Sequence, residues 1–123
     1  MILRLWRARF NRARIEEYRR FEAEQCIAML HKQPGFLGVL FLRQAEDRAA
    51  SLTIWEDRGA LEALQSSPSY RETIHELAES TLLVGDQSVE VLEVESGDFR
   101  LEALVTALDQ TRFSKRRRAD SNR

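Results

Sequence analysis

The sequence predicts an α+β fold of the ferredoxin-like βαββαβ type, with a four-stranded antiparallel sheet and the helices on one face. Three observations predict it. Within residues 1–95, apolar spacing alternates between strand-like and helix-like in the order strand, helix, strand, strand, helix, strand. A short polar segment, residues 45–49, separates the second and third strands as a hairpin connection does. Cap and turn residues mark the other boundaries.

The first strand and the first helix occupy the N-terminal third. Residues 2–10 read as a strand in which arginines interrupt apolar positions. Residues 13–31 read as a helix because apolar side chains recur every three to five positions. Asn11 is a plausible N-cap for it. Pro34 and Gly35 then enforce a stop before the second strand.

Caps place the helices of the second half. Asp57 is predicted to cap a short helix, and Ser67 to cap a longer one with Pro68 at its first position. Gly85 and Asp86 are expected to end that longer helix. The three remaining strands are predicted at residues 36–44, 50–56 and 88–95.

The second strand, "FLGVLFLR", is apolar on both faces. The alternation places Leu37, Val39 and Phe41 on one side. Phe36, Leu40 and Leu42 fall on the other. Two helices can cover only one face of a four-stranded sheet, and burial of one such side chain is worth roughly 1.5–3 kcal/mol. We therefore expect a homodimer in which two sheets face each other as a dimeric α+β barrel.

The chain continues beyond the predicted domain of residues 1–95. Residues 96–111 carry a stripe of leucine and valine that predicts a C-terminal amphipathic helix. Residues 112–123 hold six basic residues and one acidic residue without apolar periodicity, and are expected to be a disordered basic tail. The run "KRRR" could instead bind nucleic acid or an anionic membrane, but a solubilising tail is the favoured interpretation.

Composition bounds the class of protein. The 123 residues fit one domain, with 43% hydrophobic and 32% charged residues. No apolar run approaches the roughly 20 residues that span a membrane, and the arginine-rich start is unlike a signal peptide. Cys26 is the single cysteine, so a reducing cytoplasm is expected. The body of the chain shows no basic surface for nucleic acid, and neither nucleic acid nor membrane is expected as a partner.

Four segments together suggest a family. "MILRLWR" at the start, "PGFLG" after the first helix, "LTIWED" at the end of the third strand and "SPSY" at the next helix resemble the antibiotic biosynthesis monooxygenase family in order and spacing. The likeness covers roughly residues 1–95 and implies a dimeric α+β barrel. The family includes cofactor-independent oxygenases of quinol-like aromatics and haem-degrading enzymes. The resemblance therefore implies an oxygenase that needs no cofactor.

Five residues are candidates for a site between the sheet and its helices. Trp55 matches the family's recurring tryptophan and could form an aromatic wall, or could be a core residue. His75 lies beside the apolar stripe of the second main helix and is a candidate general base, since imidazole titrates near neutral pH; the alternative is a surface histidine. Tyr70 could donate a hydrogen bond to substrate, and Ser51 and Thr53 could line a cavity.

Three functions stay open at this level. The first is a cofactor-independent monooxygenase acting on a quinol-like or polycyclic aromatic. The second is a module of the same fold that only binds a small apolar ligand or dimerises. The third is haem degradation, although Asn11 fits a helix cap better than a haem contact. No metal site is predicted, because two distant histidines and one cysteine lack ligand spacing.

Overall fold

The computed structural model describes the backbone of residues 1–121 and the side chains of residues 1–111. No helix within this described part is both long and apolar enough to cross a membrane. The strands are β1 Ile2–Arg9, β2 Phe36–Ala45, β3 Arg48–Trp55 and β4 Ser88–Glu93. The α-helices are α1 Ile15–Phe21, α2 Ile27–His31, α3 Arg58–Gln65, α4 Pro68–Glu79 and α5 Leu101–Ser121.

The four strands form one antiparallel sheet in the order β2-β3-β1-β4. With α1 and α2 between β1 and β2, and α3 and α4 between β3 and β4, this is the βαββαβ arrangement that the sequence predicts. Each predicted strand is found, with ends that differ by one or two residues. The expected fold class is confirmed.

The three predicted helix caps are present. Asn11 Oδ1 accepts a hydrogen bond from Ala13 N at 3.1 Å and caps a 3₁₀ turn, Arg12–Arg14, that leads into α1. Asp57 Oδ1 accepts from Ala60 N at 2.8 Å. Ser67 Oγ accepts from Tyr70 N at 3.4 Å, and Pro68 takes the first position of α4. These bonds satisfy backbone donors that have no partner inside the helix.

A π-helical turn, Glu22–Cys26, joins α1 to α2. Its backbone bond runs from Ile27 N–H to Glu22 O, five residues back. The extra residue explains why apolar positions jump by five between Phe21 and Cys26 in a helix that otherwise repeats every three or four. Such turns often occur at functional sites, and this one lies beside the cavity described below.

A register shift in β2 between Phe36 and Gly38 changes the predicted faces of that strand. Phe36 pairs with Trp55, and their rings meet edge to face at 5.6 Å on the helix side of the sheet. The simple alternation assigned Phe36 to the same face as Leu40, which is wrong because the bulge inserts a residue. Val39 and Phe41 follow Phe36 on the helix side, opposite Thr53 and Ser51 of β3.

Helix α4 ends at Glu79, before the predicted stop at Gly85 and Asp86. Thr81 adopts a left-handed conformation with φ 59°, which turns the chain out of the helix. The Arg14 Nη1 atom donates to Ser80 O at 2.8 Å and to Thr81 Oγ1 at 2.9 Å. The turn carries Leu82 into the core, where it is 4% exposed. The helix therefore ends at the turn that carries Leu82 into the core, before the chain reaches Gly85.

The second face of the sheet carries apolar side chains in register across all four strands. Residues paired across neighbouring strands share a face. We call the face opposite the helices the open face. Its apolar members with larger side chains are Leu3, Leu5, Leu40, Leu42, Leu52, Ile54 and Leu92. None belongs to the buried core, and Leu42 and Leu92 are 41% and 50% exposed. The predicted second apolar face therefore exists.

Gly35 is required by its position. Its φ is 81°, and a Cβ added there would lie 2.5 Å from Ala60 Cβ. Gly85 has a similar φ of 76° with open space around it. We expect Gly35→Ala to lower the free energy of unfolding by about 2–5 kcal/mol, from backbone strain plus overpacking. Gly85→Ala should cost only about 1–2 kcal/mol, from strain alone. Urea unfolding at one protein concentration compares them, and equal costs would contradict the crowding argument.

Helix α5 continues to Ser121, beyond the predicted end of the helical extension at residue 111. Its described side chains, residues 101–111, are exposed. The side chains of residues 112–121 and all of residues 122–123 lie outside the described part of the chain. The predicted disordered basic tail falls on these residues and stays a prediction.

We expect truncation after Thr111 to leave the melting temperature within about 2 °C of the full chain. The removed segment has no apolar periodicity with which to pack. Differential scanning calorimetry of both chains at one concentration measures the difference. A fall of many degrees would show that the segment docks.

Candidate functional site

A cavity of about 170 Å³ lies between the sheet and the helices α1, α2 and α4. Its wall is mainly apolar and aromatic and also carries several polar side chains, as in many small-molecule sites. The apolar wall consists of Trp6, Phe21, Met29, Leu30, Phe41, Leu64, Ile74, Leu77 and Val89. The polar side chains in the wall are Arg4, Tyr18, Cys26, Ser51, Thr53, Tyr70, Thr73 and Gln87.

Strand β1 places two unusual side chains in this wall. Alternation along the strand puts Ile2, Arg4, Trp6 and Ala8 on the helix side. Ile2 and Ala8 are buried core residues, whereas Arg4 and Trp6 line the cavity. The Trp6 Nε1 atom donates to Gln87 Oε1 at 2.9 Å, which fixes the indole ring at the edge near β4. Trp6 is therefore the tryptophan that forms an aromatic wall.

Arg4 and Tyr70 form a hydrogen bond in the cavity wall. The Arg4 Nη2 atom donates to the Tyr70 hydroxyl at 3.5 Å. Tyr70 comes from the first turn of α4, which the Ser67 cap and Pro68 start at a fixed point. No aspartate or glutamate belongs to the cavity wall among the described residues. Arg4 is thus the charged side chain among the described lining residues, and the carboxylate of Glu22 acts on the wall from beside Tyr18 and Cys26.

Trp55 lies in the core and contacts a residue of the cavity wall. Its side chain is fully buried at 0% exposure and packs in a core cluster with Met29, Leu30 and other residues. The Trp55 Nε1 atom donates to Thr53 Oγ1 at 2.9 Å, and Thr53 Oγ1 donates in turn to Arg4 O at 3.4 Å. Trp55 therefore orients a cavity-lining hydroxyl without lining the cavity itself.

Tyr18 and Cys26 are kept in their neutral forms. Burial raises the pKa of Tyr18 above its ordinary value, and the negative charge of Glu22 and a hydrogen bond with it act in the same direction. A hydrogen bond with Ser51 acts the other way. Burial, followed by the nearby Glu22 charge, raises the pKa of Cys26 to about 12. At neutral pH the phenol of Tyr18 is thus a hydrogen-bond donor, and the thiol of Cys26 is unreactive.

The structure brings three of the five predicted site residues to the cavity and leaves two outside. Tyr70, Ser51 and Thr53 line it. Trp55 lies in the core. His75 faces solvent, with a side chain that is 73% exposed and with Nε2 at 3.6 Å from Glu79 Oε1. On α4, Thr73 and Leu77 are buried, and a residue two positions from each points to the opposite side. The expectation that His75 converges on the pocket is corrected.

Sequence reasoning missed Arg4, Trp6 and Tyr18 as site residues. A signal for Arg4 is present: it occupies an inward position of a strand whose inward neighbours are apolar. Charged residues at such positions are rare unless paired or functional. For Trp6, the alternation of side chains along β1 predicts the face of the sheet. It does not predict that Trp6 lines a cavity, because the cavity depends on where the helices lie.

Known proteins share this architecture. The family model for antibiotic biosynthesis monooxygenase matches residues 1–76. No curated protein has a matching sequence. The solved structures that resemble this chain include Rv0793 from Mycobacterium tuberculosis, at 16% identity and a TM-score of 0.66, with 80% of this chain and 98% of that one covered.

Two further solved structures are similar. A protein of unknown function from Nitrosomonas europaea has 13% identity and a TM-score of 0.67, covering 80% of this chain and 92% of its own. SnoaB, a cofactor-independent oxygenase from Streptomyces nogalater, has 17% identity and a TM-score of 0.63, covering 78% and 94%. At these identities the likeness concerns the fold. The family match over residues 1–76 carries the assignment: the chain belongs to the antibiotic biosynthesis monooxygenase family.

Proposed function

We propose that the protein is a cofactor-independent monooxygenase of a quinol-like or polycyclic aromatic molecule. The observation that carries the proposal is the cavity: an apolar, aromatic-walled space with a cluster of hydroxyl donors, in a chain of this family. SnoaB, which shares the fold, is a cofactor-independent oxygenase. The aromatic walls suit a flat apolar substrate, and the polar groups suit one oxygen-bearing edge of it.

The proposed reaction needs only the chemistry of the substrate and dioxygen, without a cofactor. An anthrone-type molecule loses a ring CH₂ proton to give an electron-rich enolate. The enolate transfers one electron to dioxygen, and the substrate radical and superoxide combine into a peroxide. Loss of water then leaves a carbonyl where the CH₂ group stood. One oxygen atom enters the product and the other leaves as water, so all four electrons that reduce dioxygen come from the substrate.

The chain's own residues supply placement and a mainly apolar environment. Trp6 and Phe41 flank the cavity from the sheet, and Leu30 and Leu77 border it from the helices. A substrate seated against this wall displaces water from it, which strengthens charge interactions with the bound molecule. The hydroxyl of Tyr70 is available to donate a hydrogen bond to a developing anion.

We expect His75→Ala to keep kcat/KM within about twofold of the wild-type value. A general base contributes roughly 10²–10⁴-fold, but the solvent-facing position of His75 keeps it from the cavity. A pH profile of the variant on any aromatic substrate that turns over gives the comparison. Loss of a limb near neutral pH would restore His75 as the base.

The proposal includes a homodimer that forms through the open face. Leu42 and Leu92, whose side chains are 41% and 50% exposed, support the dimer, because burial of each such side chain contributes roughly 1.5–3 kcal/mol. Apolar side chains of this face lie on all four strands, and a contiguous exposed apolar patch often marks an interface. A second copy offers the same face, which a two-fold axis makes self-complementary.

Oxygen uptake with an anthrone tests the activity. We expect enzyme-dependent consumption of one dioxygen per carbonyl formed, in the presence of a metal chelator, above the rate of spontaneous oxidation. Heat-denatured protein at the same concentration is the control. No rate above that control with anthrones, quinols and naphthols would favour a module that binds a ligand without chemistry.

A further inference from the structure

We infer that Arg4 and Tyr70 form an anion-binding pair that selects aromatic ligands in their ionised form, as a phenolate or enolate. The inference deepens the proposed function, since it takes the same cavity as the substrate site. It gives the protein a way to favour the substrate anion without the general base that His75 was expected to be. The substrate loses its proton to water, and the enzyme stabilises the resulting anion instead of removing the proton with a base.

The position of Arg4 is the first argument. It lies near the middle of β1, a central strand, between Thr53 of β3 and Val91 of β4 in the sheet register. Its side chain is partly buried on the helix side, where it lines the cavity. A guanidinium taken out of water costs free energy unless an opposite charge or good hydrogen bonds compensate. The wall itself offers no carboxylate for this purpose.

Hydrogen-bond capacity is the second argument. A guanidinium carries five N–H donors, and the bond from Arg4 Nη2 to Tyr70 is long at 3.5 Å. The Tyr70 oxygen accepts in that bond, so its own O–H is left to donate. An anionic oxygen between the two groups would receive a charge-assisted bond from Arg4 and a second bond from Tyr70. A neutral carbonyl or hydroxyl would gain much less.

The rest of the wall defines the remainder of the ligand. Trp6 and Phe41 supply flat apolar surface, and the helix side adds aliphatic groups. One positive charge among apolar and neutral polar side chains fits a molecule with one acidic oxygen and an aromatic body. A cation would find no carboxylate among the described lining residues.

The test uses 4-nitrophenol, whose phenolate absorbs visible light and whose phenol does not. Binding to the wild-type dimer should lower the apparent pKa of 4-nitrophenol by about 1–3, as an opposite charge nearby does for an acid. Arg4→Met, which keeps the length of the side chain without its charge, should abolish this pKa change. It should also weaken binding of the phenolate by about tenfold or more. Arg4→Lys should keep much of the effect, and Tyr70→Phe should keep a smaller pKa change than the wild type.

Arg71→Met is the matched control. Arg71 is next to Tyr70 but is exposed and lies outside the cavity wall, with its Nε donating to Gln65 O at 3.2 Å. This variant should bind 4-nitrophenolate as the wild type does. Circular dichroism checks that each variant is folded. If Arg4→Met does not fold, Arg4→Lys and Tyr70→Phe decide the matter through the graded pKa change.

Wild-type protein that does not bind 4-nitrophenolate, or an Arg4→Met variant that binds it equally well, would overturn the inference. The experiment involves no oxidation, so its result is separate from that of the oxygen-uptake assay. Arg4-dependent binding without oxygen uptake would remove the proposed activity and keep the ligand class. Oxygen uptake together with 4-nitrophenolate binding that does not depend on Arg4 would keep the proposed activity and remove the ligand class.

Discussion

Leu52→Asp is expected to convert the proposed dimer into a monomer or to prevent folding. Leu52 lies on the open face, where it is paired with Leu5 on one side and Leu40 on the other. In the proposed dimer each copy would bury an aspartate and lose the burial energy of a leucine, roughly 1.5–3 kcal/mol. Size-exclusion chromatography with light scattering at micromolar concentration measures the mass.

Ala78→Asp is the control for this change. Ala78 is exposed and lies on α4, on the helix side of the sheet and away from the open face. It should leave the dimer intact. A wild-type protein that is monomeric at micromolar concentration, or a Leu52→Asp variant that remains a stable dimer, would contradict the proposed interface.

Trp55→Ala should lower the free energy of unfolding by about 3–5 kcal/mol. Trp55 is fully buried, stacks edge to face with Phe36 and holds the Thr53 hydroxyl. Removing the indole leaves a large void and takes away a hydrogen-bond donor. Urea unfolding at a fixed protein concentration measures the change, since the stability of a dimer depends on concentration.

Trp6→Ala provides the comparison. Trp6 is only partly buried and borders an existing cavity, so its loss should cost less stability than the loss of Trp55. Its effect should fall on ligand binding instead. Equal stability costs for the two variants would contradict the division of roles between a core tryptophan and a cavity tryptophan.

The sequence was sufficient for the fold because local signals agreed with one another. Strand spacing, the caps at Asp57 and Ser67, and the hairpin all pointed to the same arrangement. The predicted faces of β2 were wrong at Phe36, because a single inserted residue changes the alternation of the strand. The bulge after Phe36 moved that ring to the other face.

The candidate site was predictable only in part. Ser51, Thr53 and Tyr70 follow from strand parity and from the start of α4. The rotation of α4 is set by packing of Thr73 and Leu77, and this turns His75 to solvent. Strand alternation places both tryptophans on the helix side of the sheet, and only the positions of the helices show that Trp55 is covered and that Trp6 lines the cavity.

The central claim is that the cavity is where an aromatic substrate meets dioxygen, and a cavity-filling variant tests it most directly. Ser51 lies at the middle of the sheet, paired with Trp6 and Phe41, and lines the cavity. Ser51→Phe should fill the space, while Ala78→Phe, on the exposed side of α4, should not. The measurement is the initial rate of oxygen uptake with an anthrone, for variants whose dimer mass and melting temperature match the wild type. The rate for Ser51→Phe is expected to fall at least about 100-fold, with an unchanged rate for Ala78→Phe, since a misplaced substrate loses the benefit of orientation. A wild-type rate in Ser51→Phe would contradict the claim.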